Sequence, residues 1–196
     1  MTTKNEPKKL RRDARDSVAK IHAAALDIFL SRGLDASLQE IARAAGVSVG
    51  TLYNRFGSRE GVIDAVIPDV AGRRLQALGM VVLEKPTPRE RLETFVNGMI
   101  EMQRADPALN DAVLRRFPDA TALLGVCDRS TALGQDLVRQ AHADGSLSTD
   151  FTDEDLFALL WLAGTASREP DAPAGWLRIV ERALASAWTT ADPTKS

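Results

Sequence analysis

Residues 37–56 read SLQEIARAAGVSVGTLYNRF, and the way this stretch divides decides the fold. Ser37 stands three residues before Glu40, the spacing of a capping box in which a hydroxyl and a carboxylate satisfy two orphan N–H groups at a helix start. Leu38, Ile41, Ala42 and Ala45 then fall on one stripe at helical spacing, and Gly46 supplies the positive φ of a sharp turn. Ser48 is an N-cap for a second short helix that turns Leu52 and Phe56 inward at i and i+4, with Val47 plugging the turn. The second helix therefore begins with almost no side-chain bulk.

A short helix, a tight turn and a helix with a bare start make a helix-turn-helix, whose second helix enters a DNA major groove by its N-terminal end. Ser48, Val49 and Gly50 let the backbone approach, and the exposed N–H groups and positive dipole end favour phosphate. The Thr51 hydroxyl can bond to phosphate or a base edge, Val49 can touch a thymine methyl, and Tyr53 and Asn54 lie on the outer side. Arg55, Arg59 and Ser37 are placed to add phosphate contacts.

Toward the N-terminus, a helix over about 12–32 carries Val18, Ile21, Ala25, Ile28 and Phe29 inward, with His22 on the same side and Gly33 as its left-handed stop. Ahead of it, Lys8, Lys9, Arg11, Arg12 and Arg15 form a basic arm, with Arg11 and Arg12 taken as DNA contacts. The chain of 196 residues is nearly neutral, with 25 basic and 27 acidic residues, but the charge is unevenly spread. Residues 1–60 hold 11 Lys and Arg against 7 Asp and Glu, a net +4, on a remainder of net −6. A basic head on an acidic body suits a polyanion partner.

Toward the C-terminus the pattern stays helical, so the chain reads as all-α throughout. Ser58 caps a helix to about Leu83 that Pro68 should kink or split. Thr87-Pro88-Arg89-Glu90 and Asp106-Pro107 each open a helix, another runs over about 119–143 to a stop near Gly145, and Thr152 with Asp155 caps the next. Residues 156–164, LFALLWLAG, are without charge, and the last helix carries Trp176, Val180, Leu184 and Trp188 at helical spacing. Surplus apolar surface on two consecutive helices implies a homodimer joined as a four-helix bundle, with Leu156, Leu159, Leu160 and Ala163 sharing the interface. Large apolar residues on the central helices, Phe95, Met99, Met102, Phe117, Leu124 and Trp161, are candidates to line a small-molecule pocket, with Arg115 or Arg116 available to an anionic effector.

Several functions are disfavoured by composition. Cys127 is the single cysteine and His22 and His142 are the two histidines, so neither a metal site, a cofactor nor a nucleophile with its base can be assembled at recognisable spacing. Neither a membrane span nor a secretory signal is read, which makes cytoplasmic residence the expectation.

The stretch from Ser37 to Val66 closely resembles the DNA-binding region of the tetracycline-repressor (TetR) family of bacterial transcription regulators. The matching residues include Ile41, Ala42, Ala45, Gly46, Val47, Ser48, Gly50, Thr51, Leu52, Tyr53, Phe56, Ser58 and Glu60. The resemblance implies an N-terminal three-helix helix-turn-helix head, residues 1–57, and a C-terminal helical ligand-binding and dimerisation bundle, residues 58–196. It further implies a dimeric regulator, usually a repressor, released from double-stranded DNA by a small-molecule effector. Val49 and Arg59 depart from the common residues at their positions, so no operator sequence carries over. The competing reading is a helical ligand- or protein-binding module that has kept the head and lost sequence-specific DNA binding.

Overall fold

A computed structural model describes residues 6–189 of the chain, with side chains from Asp16 onward. Nine helices occupy the described residues: α1 Glu6–Arg32, α2 Leu38–Ala45, α3 Val49–Phe56, α4 Arg59–Leu83, α5 Pro88–Ala105, α6 Pro107–Leu114, α7 Thr121–Ala143, α8 Asp153–Arg168 and α9 Trp176–Ser186. One isolated antiparallel bridge, Leu147 to Trp188, ties the loop after α7 to the end of α9.

Local chemistry sets most of these boundaries. Ser48 Oγ accepts from Thr51 N at 3.1 Å and Ser58 Oγ from Gly61 N at 3.0 Å, starting α3 and α4. Thr87 with Glu90 and Thr152 with Asp155 close reciprocal capping boxes on α5 and α8. Gly46 takes φ +69° at the end of α2, as the turn demands. One expectation fails and another is narrowed. At Ser37 the hydroxyl accepts from Gln39 N, while Glu40 is drawn away to Arg32 Nη1 at 2.6 Å, so no capping box forms there. Pro68 lies inside a single uninterrupted α4; it withholds one N–H without splitting the helix.

Two apolar cores follow. The first gathers Ile21, Ala25, Phe29, Leu38, Ile41, Leu52, Ile63 and Ile67, and extends through Leu109 and Leu123 into the body. The second gathers Leu92, Phe95, Leu137, Leu156, Leu160, Leu184 and Trp188. Between α5, α6 and α8 a polar clasp crosses the apolar interior. Gln103 Nε2 donates to Leu160 O at 3.1 Å and Asn110 Nδ2 to Gly164 O at 3.0 Å. Glycine is needed at 164, since a Cβ there would overlap the Gln103 amide.

The surplus apolar surface of α8 and α9 is consumed differently from the sequence expectation. Leu156, Leu160, Ala163, Val180, Leu184 and Trp188 are buried in the subunit's own second core, because α8 turns that side toward α5. Leu159 and Trp176 are half-buried against the same core. On α8 and α9 the exposed large apolar residues are Trp161, Leu162 and Ile179, the last at 63% exposure.

Candidate DNA-facing tip and effector cavity

The tip of α3 is built by one anchor and one cap, Ser48. Leu52 is fully buried and fixes the helix to the head core, while Ser48, Gly50, Thr51, Tyr53, Asn54 and Arg55 all face outward. The Ser48 and Thr51 hydroxyls are hydrogen-bonded to each other at 2.9 Å. Tyr53 is 51% exposed, an aromatic ring standing out from a short helix with no covering element. Such a surface offers hydroxyl, phenol and amide groups beside exposed helix-start N–H groups. Val49 differs from expectation: it is half-buried against the head core, which limits its reach toward a base methyl.

Arg59 is already engaged within the subunit. Its Nη1 donates to Leu34 O at 3.0 Å and Ala36 O at 2.8 Å, so the guanidinium staples the α1–α2 turn, and this engagement competes with the phosphate contact expected of it. Ser37 is half-buried at the α2 start, its hydroxyl engaged with Gln39. The side chains of Lys8, Lys9, Arg11, Arg12 and Arg15 lie outside the described residues. His22, half-buried, has its Nε2 3.1 Å from Ala65 O, which accounts for the ring as a satisfied edge residue between α1 and α4.

The body holds a cavity of about 410 Å³ between α4, α5, α6, α7 and α8, within the range of small-molecule sites. Four of the six sequence candidates line it: Met99, Met102, Leu124 and Trp161. Phe95 does not; it is fully buried in the second core beside Gly134. Phe117 packs instead on the first core, with the Arg115 guanidinium 5.6 Å above its ring. The walls are completed by Ala71, Leu75, Leu123 and Leu160, and the charged groups among the lining residues are Arg115, Arg116 and Asp128. Cys127 also faces the cavity; burial pushes its thiol above the ordinary range, Asp128 adds to this and Arg116 opposes it, so the thiolate is disfavoured.

One set of polar contacts joins the cavity walls to the head, and a second joins them to the start of α4. From α6, Asp111 Oδ2 accepts from Leu34 N at 2.6 Å, and Arg115 pairs with Asp35 at 2.8 Å and Asp111 at 3.3 Å. Gly33 turns the chain here with φ +90°, and a Cβ would collide with the Asp111 carboxylate, so only glycine admits this grip. From α4, Glu60 accepts from Asp119 N at 2.5 Å and Asp64 from Leu123 N at 2.9 Å. Asp64 thus caps α7, whose own N-cap position, Ala120, has no side-chain acceptor, while Glu60 holds the residue before that position. Sequence reasoning missed all four acidic groups, although Asp111 and Arg115 at i and i+4 were a readable pair.

Among the described residues no cluster of His, Cys, Asp and Glu suits a metal ion, and no helix is long and apolar enough to cross a membrane.

Comparison with known proteins agrees with this geometry. The model of the tetR family of bacterial regulatory proteins matches residues 21–66, which run from the middle of α1 into α4. An uncharacterized HTH-type transcriptional regulator of Pseudomonas putida, TtgW, is 38% identical over 61 residues, a match spanning 31% of this chain and 46% of that relative. The structure of FadR from Bacillus subtilis, described in complex with stearoyl-CoA, shares the fold at a TM-score of 0.63 and 17% identity, over 87% of this chain and 98% of the other. A TetR transcriptional regulator of Streptomyces coelicolor, SCO0520, is 33% identical over 88% of this chain and 99% of its own, with a TM-score of 0.50. With a relative matched along nearly its whole length, and a helix-turn-helix head carried on a helical body, this chain belongs to the TetR family of bacterial transcription regulators.

Proposed function

We propose that this regulator is a homodimeric repressor that reads a pseudo-palindromic operator with the tips of its two α3 helices and is released by a small molecule entering the 410 Å³ cavity. Residues 1–57 serve as the DNA-binding unit and 58–196 as the regulatory and dimerisation unit. The observation that carries the reading is the outward tip of α3, where Ser48, Gly50, Thr51, Tyr53, Asn54 and Arg55 face solvent around the buried Leu52 anchor. Affinity comes from helix-start amides and the basic arm of Lys8, Lys9, Arg11, Arg12 and Arg15; specificity comes from Thr51, Tyr53 and Asn54.

Response to an effector is supported by the two polar junctions. A ligand that moves α6 or α7 acts on Leu34 and Asp35 through Asp111 and Arg115, and on α4 through Glu60 and Asp64. Because α4 begins at the Ser58 cap next to α3, displacement at its start changes the spacing of the two tips. A coupling of about 1–3 kcal/mol weakens DNA binding roughly 5–150-fold. Dimerisation is supported by exposed Leu162 and Ile179, which with Ala166 and Trp176 border an apolar groove on α8 and α9. The same face meeting itself across a twofold axis closes a four-helix bundle.

Selection of genomic fragments on purified protein, followed by a salt titration of the retained fragment, tests the reading. A sequence-specific complex whose log affinity falls by about 0.9 per neutralised phosphate with log salt supports it. Weak binding that is blind to sequence favours the binding module that has lost its DNA function.

A further inference from the structure

We propose that Arg115 exchanges partners when the cavity fills, leaving Asp35 of the head for the anionic group of an otherwise apolar effector. The inference rests on the effector reading above and adds to it the effector's chemical class and the residue that transmits its arrival.

The cavity walls are aliphatic, with Ala71, Leu75, Met99 and Leu123 among them, whereas its charged lining residues number two cations, Arg115 and Arg116, and one anion, Asp128. Arg116 is exposed and makes no side-chain hydrogen bond or ion pair among the described residues. An apolar body is thus accommodated by the walls and a single negative group by the arginines. A guanidinium binds a carboxylate through two parallel hydrogen bonds, and more strongly where water is excluded.

Arg115 is poised between this cavity and the head. It lines the cavity, and its Nη1 reaches Asp35 at 2.8 Å in the turn between α1 and α2. The Asp35 side chain is 78% exposed, so this pair is solvated and easily given up. Asp111, by contrast, keeps its hydrogen bond from Leu34 N when Arg115 turns away, so no buried carboxylate is stranded. The exchange therefore loosens one tether of the head at little expense to the fold. Linkage makes it reciprocal: removing the Asp35 charge frees Arg115 for the ligand and weakens the grip on the head.

Decanoate and decan-1-ol, matched in chain and differing in charge, are the probes, titrated into the full chain at pH 7.5. Emission from Trp161, the tryptophan that lines the cavity, reports binding, with Trp161→Phe as its control and calorimetry as the second measurement. Decanoate binds the wild type more tightly than decanol, Asp35→Asn tightens decanoate roughly threefold and leaves decanol unchanged, and Arg116→Gln weakens decanoate alone. Equal binding of the two probes, binding of neither, or a decanoate affinity untouched by Asp35→Asn overturns the proposal. Asp35 is exposed, so its amide variant folds. The titration contains no DNA, which separates the two readings: tightening by Asp35→Asn in a protein that retains no operator removes the repressor and keeps the exchange. An operator-binding protein indifferent to Asp35→Asn does the reverse.

Discussion

Asp111 is one of the groups by which the body holds the head, and its removal gives an energetic test of the junction. Its carboxylate accepts from Leu34 N at 2.6 Å, and Leu34 is fully buried. Asp111→Ala leaves that N–H without an acceptor or water, which costs about 1–3 kcal/mol. The lost pairing with Arg115 adds little, since the Arg115 side chain is 39% exposed and retains Asp35. A total of about 1–3 kcal/mol is a large share of the roughly 5–15 kcal/mol that stabilises a domain. For a chain of 196 residues it lowers the melting temperature by roughly 2–12 °C. Asp111→Asn keeps an acceptor oxygen and loses only the charge assistance, so its expected cost is about 1 kcal/mol. Urea denaturation followed by far-ultraviolet circular dichroism measures both variants, and amide exchange at Leu34 localises the effect. If both variants fall within about 0.5 kcal/mol of the wild type and Leu34 exchange is unchanged, the bond does not hold the head.

Three further outcomes are expected. Ser48→Ala removes the α3 cap to Thr51 N, costing about 1 kcal/mol in denaturant unfolding; it also lowers affinity for the selected operator fragment in a retention assay, and unchanged stability would count against the cap. Burial holds the Asp106 carboxyl above the usual carboxylate range, with the Leu109 and Ala108 amides and Arg74 opposing it, so its protonation favours the folded state. That contribution is complete below the unfolded value and is lost as pH rises through the folded one, so the stability of wild type relative to Asp106→Asn should fall with rising pH across that window and level off above it; a flat difference contradicts the assignment. Leu162→Asp with Ile179→Asp places charge on the exposed α8–α9 face, and sedimentation should show monomers that keep their helical content; an intact dimer would move the interface elsewhere.

Legibility in the sequence followed the range of the interaction. The caps at Ser48, Ser58, Thr87 and Thr152 were readable because donor and acceptor lie within three residues of each other. Glu40 escaped because Arg32, on the preceding helix, competes for its carboxylate. Arg59 escaped because its partners, Leu34 O and Ala36 O, are reached only after the chain has folded back. The borrowed caps of α7 span 59 residues, beyond any local pattern. Periodicity likewise found the apolar stripes of α5 and α8 without assigning their neighbours. Phe95 and Met99 share one helical face and one core, yet only the second reaches the cavity. On α8 the core takes Leu156, Leu160 and Ala163, leaving Leu162 exposed.

We propose that α3 presents residues 48–54 to base edges, and footprinting of wild type, Thr51→Ala and Tyr53→Ala on the selected operator addresses that contact directly. Wild type should protect two major-groove patches related by a twofold axis, with centres about 34–36 Å apart or a whole multiple of that. Both variants should lose the patches while remaining folded. Protection confined to the minor groove, a single unpaired patch, or footprints unaffected by either substitution would contradict it.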